Sequence, residues 1–254
     1  VRKPSKEVKR QMIYRAKGRQ VSYGEAVGII LLENYAPFIP GDVANATTYH
    51  FPVRFQRVEN FSVERIFKHD MSLLDPVLAA GRALVREGVR AVTGDCGFMV
   101  IYQKQLAAAL EVPVFMSSLL QIPFLRHLIG PDEKIGVITA NSESLDDFVL
   151  QSAGVDASIP LVIRGLQDRE HFASAVIKEE GLLDAEKVEE EVVSVARELT
   201  SQDPKVKIML LECSMLPPYA AAVQEAVQLP VFDFLTMIHY VFSALVQRRY
   251  QGFM

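Results

Sequence analysis

The sequence predicts an α/β protein of two pseudo-twofold-related halves, each a mainly parallel sheet flanked by helices. Three observations carry this. Short runs rich in valine and isoleucine, such as VGIILL and KIGVIT, are continuously rather than alternately apolar, as strands buried on both faces are. Helical stretches alternate with these runs, the pattern of right-handed strand-helix-strand crossovers. One motif also occurs twice. VRAVTGDCGF (89–98) and VKIMLLECSM (206–215) share a valine, a base, an apolar run, an acid, a cysteine and a small residue.

The second copy keeps register with the first. Cys213 follows Cys96 by 117 positions, Val206 follows Val89 by 117, and Pro230 of LPVF follows Pro113 of VPVF by 117. An earlier pair, VGIILLEN and IGVITAN, has its glycines Gly28 and Gly136 108 apart, so the connections differ by nine residues. Duplication explains a common spacing better than coincidence among short apolar strands does. The expected boundaries are a basic extension over 1–25, a first α/β domain over 26–128 plus 235–254, and a second over 129–234.

The elements follow in order. Strands are expected at VGIILL, VRAVTG, VPVFMS, KIGVIT, IPLVI, VKIMLL and LPVFDF. Asp75-Pro76 supplies an N-cap and a first-turn proline for VLAAGRALVRE, with Gly88 closing that helix. Asn141 or Ser142 caps ESLDDFVLQSA, closed by Gly154. Asp184 caps AEKVEEEVVSVARELT, whose valines recur near helical spacing. Pro217-Pro218 opens YAAAVQEAVQ. Gly130-Pro131 marks the hinge between the halves. TMIHYVFSALVQRRY reads as an amphipathic helix that packs back on the first half.

Composition excludes several classes. The 254 residues carry 27 Lys and Arg against 31 Asp and Glu, a net charge of −4 that gives no argument for nucleic acid or a membrane surface. No apolar stretch approaches the roughly 18 residues of a spanning helix. Two cysteines are too few for a disulfide framework, so a reducing cytoplasm is expected. The histidines at 50, 69, 127, 171 and 239 lack metal-ligand spacing, and no glycine-rich nucleotide motif occurs. Neither metal nor cofactor is expected. The first 19 residues carry eight bases against Glu7, read as a solvated, partly helical appendage.

Both cysteines fall where an apolar strand ends, and parallel sheets bind ligands at the carboxyl ends of their strands. Two facing halves would bring Cys96 and Cys213 into one cleft from opposite sides. That suits removing a proton from one face of a carbon and returning one to the other. A free thiol has a pKa near 8.5, and N–H groups after the cysteine would lower it. Asp95 and Glu212 precede the cysteines. Strand alternation would turn them away from the thiols, so a supporting role is expected. Glu33, Asn34, Asn141 and Ser142 end the Gly28 and Gly136 strands on the same rim, where they either bind substrate or close turns. The Ile39-Pro40-Gly41-Asp42 segment reads as a turn.

TGDCGF, LECSMLPPY, the matched halves and the trailing LPVFDFLTMI resemble the aspartate/glutamate racemase superfamily, which includes hydantoin racemases, maleate isomerases and arylmalonate decarboxylases. The resemblance runs from about Ala26 to the end. It implies flavodoxin-like domains, cofactor-independent chemistry, and acid/base roles for Cys96 and Cys213. Substrate-carboxylate contacts would map to Gly97, Phe98, Ser214 and Met215. Glutamate racemases have Asn-Thr and Thr-His at those positions, so their absence here argues against glutamate itself. The expected function is a cofactor-independent racemase, an isomerase, of an amino acid or related α-carbon acid. Alternatives are a maleate-type cis-trans isomerase, a cysteine-dependent lyase or decarboxylase, and a non-catalytic binding protein. The expected partner is a small carboxylate-bearing substrate, with self-association left open.

Overall fold

A computed structural model describes residues 13–16, 18 and 20–254. Most of the basic arm lies outside the described residues.

Seven strands form two parallel sheets among the described residues. β1 (Val27–Leu31), β2 (Val53–Arg57) and β3 (Ala91–Gly94) pair in the order β2-β1-β3. β4 (Lys134–Thr139), β5 (Leu161–Gly165), β6 (Val206–Leu211) and β7 (Val231–Phe232) pair in the order β5-β4-β6-β7. A parallel bridge from Val92 to Val114 stands where the first sheet would have its fourth strand. The expected VPVFMS strand is thus reduced to one bridge.

The repeat is visible in the pairing itself. Val27 sits opposite Val53 and Ala91, and Ile135 sits opposite Leu161 and Ile208. Ile135 and Leu161 lie 108 positions after Val27 and Val53, whereas Ile208 lies 117 after Ala91. Met209 pairs with Val231 as Val92 does with Val114, both 117 apart. The nine extra residues therefore lie between β5 and β6.

The helices among the described residues are α1 (Val63–Phe67), α2 (Leu74–Arg86), α3 (Gln103–Ala109), α4 (Ile122–Arg126), α5 (Asp147–Ser152), α6 (Glu170–Phe172), α7 (Ala185–Gln202), α8 (Ala220–Val227) and α9 (Phe234–Leu245). The nine-residue difference shows between the equivalent β2–β3 and β5–β6 connections: α2 has 13 residues and α7 has 18. Asp184 caps α7 by accepting the Lys187 N–H, as its sequence implies. Two caps differ from expectation. α2 begins at Leu74, because Asp70 caps a short turn running straight into it, so Asp75 lies inside the first turn. α5 is capped by Asp146, because Asn141 spends its side-chain oxygen on the Glu143 and Ser144 N–H groups. None of the described helices is long and apolar enough to cross a membrane.

Each sheet is buried on both faces. Ile30 and Val92 join a core continuous with Ile135, Val137 and Leu210, which links the two halves. Val27, Ile29 and Ala91 face the other way, against Phe234, Met237 and Ile238 of α9. Phe51 stacks on Phe242 at a ring separation of 3.6 Å. The outer face of the second sheet packs under α7 and α8. The strand missed from the sequence, β2, is a half-exposed edge whose VRFQR interleaves polar and apolar residues.

Gly28 and Gly136 hold equivalent places because a helix lies close over each. A Cβ on Gly136 would stand 2.8 Å from Leu199 Cδ2 and Met209 Sδ, and one on Gly28 3.0 Å from Leu84 Cδ1. Gly136→Ala should therefore destabilise the chain by about 1–3 kcal/mol, the usual cost of overpacking. Urea unfolding of the purified variant measures this, and an unchanged midpoint would count against the close approach.

Candidate functional site

Cys96 and Cys213 line one narrow cleft, into which the ends of β3 and β6 both open. The chain leaves the two strands alike. Met99 N–H donates to the Cys96 carbonyl at 3.0 Å, and Leu216 N–H to the Cys213 carbonyl at 3.1 Å. The Phe98 N–H is directed at the Cys96 thiol and the Met215 N–H at the Cys213 thiol, each favouring thiolate. A six-residue 3-10 helix, Gly97–Tyr102, follows Cys96. A turn precedes the short 3-10 helix Pro217–Tyr219 on the other side.

Two hydroxyls tie the strand ends together across the halves. Ser214 donates to the Asp95 carbonyl, and Ser118 to the Glu212 carbonyl at 2.9 Å. The Val43 N–H donates to the Ser214 carbonyl at 3.2 Å, docking the 39–43 segment on the same corner. That segment does more than turn the chain. Asp42 is buried, accepts the Ile39 N–H, and adds a raising charge to the Cys213 thiol.

Asp95 and Glu212 also line the cleft, contrary to the expectation from strand alternation. The strands end at Gly94 and Leu211, one residue short of each acid, so alternation no longer governs them. Asp95 Oδ1 accepts the Leu32 N–H at 3.0 Å, and Glu212 Oε2 accepts the Thr139 hydroxyl at 2.8 Å. Burial pushes both carboxyls up to about 7, and Asp42 up to about 8. Burial also pushes both thiols above their ordinary range. The negative charges of Glu212 and Asp95 push them further. A charge on one thiol also raises the other, so once one of the pair is ionised the other is held as a thiol.

Of the residues picked from the sequence, the cleft brings together Cys96, Cys213, Asn34, Gly97, Phe98, Ser214 and Met215. Glu33, Asn141 and Ser142 are not in its lining. Glu33 is held by the Asn60 N–H and the Tyr35 hydroxyl, and Ser142 bonds to Gln167. The sequence reading missed Phe38, Val63, Phe67, Val176 and Ile177, apolar residues with no chemical signature. Among the described residues no lysine, arginine or histidine lines the cleft. Among the described residues no cluster of His, Cys, Asp and Glu is arranged to hold a metal ion.

No family model matches the chain. A dimethylsulfoniopropionate lyase from Durusdinium sp. clade D is 32% identical over 224 residues, spanning 82% of this chain and 71% of that one. The chain belongs to the dimethylsulfoniopropionate lyase family. A second member, dimethylsulfoniopropionate lyase 5 of Emiliania huxleyi, is 31% identical over 86% of this chain but only 45% of its own length. Among solved structures, a liganded arylmalonate decarboxylase mutant matches with a TM-score of 0.60 at 14% identity, covering 89% of this chain and 94% of that one. Allantoin racemase from Pseudomonas fluorescens matches with a TM-score of 0.57 at 17% identity, covering 90% and 99%. The fold is that of the aspartate/glutamate racemase superfamily, as the two cysteine motifs imply. The expected amino-acid racemase, and with it the isomerase class, is overturned by the lyase relatives. Two thiols at facing strand ends therefore do not by themselves specify two-base chemistry.

Two outcomes follow from this geometry. A Cβ on Gly97 would stand 1.7 Å from Glu212 Oε1 and 2.9 Å from the Glu212 carbonyl oxygen. Gly97→Ala should therefore displace the Glu212 side chain and open the joint, seen as lower thermal stability and faster thiol labelling. The second outcome concerns pH. Glu212 keeps its proton up to about pH 7 in the folded chain and sheds it near 4.5 when unfolded. Folding takes up a proton between those values, so this contribution to stability is full below about pH 4.5 and is lost as pH rises through 7. Glu212→Gln should gain stability relative to the parent across that window, read from urea midpoints at pH 5 and 8. A constant difference would refute the assignment.

Proposed function

We propose that the chain is a cofactor-independent lyase that eliminates dimethyl sulfide from dimethylsulfoniopropionate. The observation carrying this reading is membership of the lyase family together with a cleft that offers thiols and acids and no cationic side chain. The substrate named by the relatives has a sulfonium on the carbon β to a carboxylate. Its cation suits a cleft lined by Asp95, Glu212 and the rings of Phe38, Phe67 and Phe98. Its carboxylate needs hydrogen-bond donors, and Asn34 and the backbone N–H groups around Gly97 and Ser214 are the candidates.

Cys213 is assigned as the base, and the two alanine variants below decide between it and Cys96. The Cys213 thiolate takes the proton on the carbon α to the carboxylate. The C–H electron pair becomes the new carbon–carbon double bond, and the C–S bond breaks with its pair leaving on sulfur. The products are neutral dimethyl sulfide and acrylate, so the leaving group needs no acid. The substrate itself helps to form the base. A unit positive charge about 4 Å from the sulfur contributes about 4 kcal/mol at an effective dielectric near 20, which offsets a pKa rise of about three. Cys96 stays a thiol beside the reacting carbon.

A racemase returns the proton to the same carbon; here the β-sulfonium leaves first. One base therefore suffices, and the two cysteines become unequal. Cys213→Ala should lower dimethyl sulfide release about 10²- to 10⁴-fold, the usual share of a general base. Cys96→Ala should lower it less. Gas chromatography of the headspace measures both, and undiminished release by Cys213→Ala would sink the scheme.

A further inference from the structure

We propose that Glu212 is the counter-ion for the cationic end of the substrate, and that the cleft selects methylated onium carboxylates over neutral carboxylates of the same shape. This deepens the lyase reading and rests on it. The class includes propanoates bearing a sulfonium or a quaternary ammonium on the β-carbon.

Glu212 is fully buried, yet its two oxygens are treated differently. Oε2 accepts the Thr139 hydroxyl at 2.8 Å. Oε1 has no hydrogen-bond partner among the described residues. It lies where a side chain at position 97 would begin, 1.7 Å from the Cβ that Gly97 lacks, in the wall between the two cysteines. A buried carboxylate oxygen without a donor is costly and calls for a partner. Asp95 has no such buried, unpartnered oxygen; Asp42 Oδ1 is one, but Asp42 is not in the lining of the cleft.

Among the described residues, none in the cleft lining supplies the missing positive charge. Glu212 acts on the Cys96 and Cys213 thiols, and the other charges that act on them are Asp95 and, at Cys213, Asp42. All are acids or thiols. Phe67 and Phe98 meet edge to face at 5.0 Å on the same cleft, and Phe38 also lines it. Aromatic faces and one naked carboxylate oxygen suit a cation wrapped in methyl groups, which needs no hydrogen-bond acceptors. A protonated amine is strongly hydrated and would lose donors' partners on entry.

The test is calorimetric binding to the full chain with a matched pair of probes. 3-(Trimethylammonio)propanoate carries the charge, and 4,4-dimethylpentanoate has the same shape without it. The parent should bind the onium at least about tenfold more tightly. Glu212→Gln should remove that preference by weakening the onium alone, leaving the neutral probe within about twofold. Titration in two buffers of different ionisation enthalpy adds a second readout on the parent. Onium binding near pH 6.5 should release a proton, and the neutral probe should release none. Asp95→Asn should keep this release. Cys213→Ala should keep it too, which separates Glu212 from the thiol that the cation helps to ionise; should Glu212→Gln not fold, the proton counts on these two variants still decide. A Gln variant that still prefers the onium, or onium binding without proton release, overturns the assignment. If the parent binds the onium with proton release but yields no dimethyl sulfide, the lyase reading fails and the counter-ion stands. If dimethyl sulfide is released and Glu212→Gln keeps its preference, the counter-ion fails alone.

Discussion

The site depends on how two strand ends are held together. Each half stops its central strand one residue before an acid, and a serine hydroxyl crosses from one half to the backbone carbonyl of that acid in the other. These crossed bonds hold backbone rather than side chains, so the thiols and carboxyls stay available for chemistry. The same closure that raises the thiols makes any entering charge count for more. In the proposed scheme it is the arriving cation that couples ionisation of the base to occupancy by substrate.

Much of this was legible in the sequence, and particular residues show why. The 117-residue spacing of Val89, Cys96 and Pro113 with Val206, Cys213 and Pro230 reappears as equal pairing register in two sheets. Gly28 and Gly136 mark equivalent contacts between strand and helix. Strands buried on both faces announced themselves by continuous apolarity. β2 escaped because an edge strand with arginine and glutamine looks like a loop. Asp95 and Glu212 were assigned to the wrong side because alternation was extended one residue too far. Val176 and Ile177 come to the cleft only through tertiary packing, which no local pattern reports.

The reaction was harder to read than the fold, for a physical reason. Racemisation and elimination begin with the same event, loss of a proton from the carbon next to a carboxylate. They part only afterwards, according to whether the β-carbon bears a group able to leave with its electrons. That difference lies in the substrate. The protein's contribution to it is the charge and shape of the pocket, spread over side chains such as Phe38, Phe67 and Glu212 that carry no motif.

The last helix has a consequence of its own. α9 follows the second half in the chain but covers the first, with Phe234, Met237 and Ile238 against Val27 and Ile29 and with Phe242 on Phe51. The first half cannot complete its interior until the second has been passed through. Synthesis must reach α9 before the earliest strand is sheltered, so the first half to be made is the later one to close.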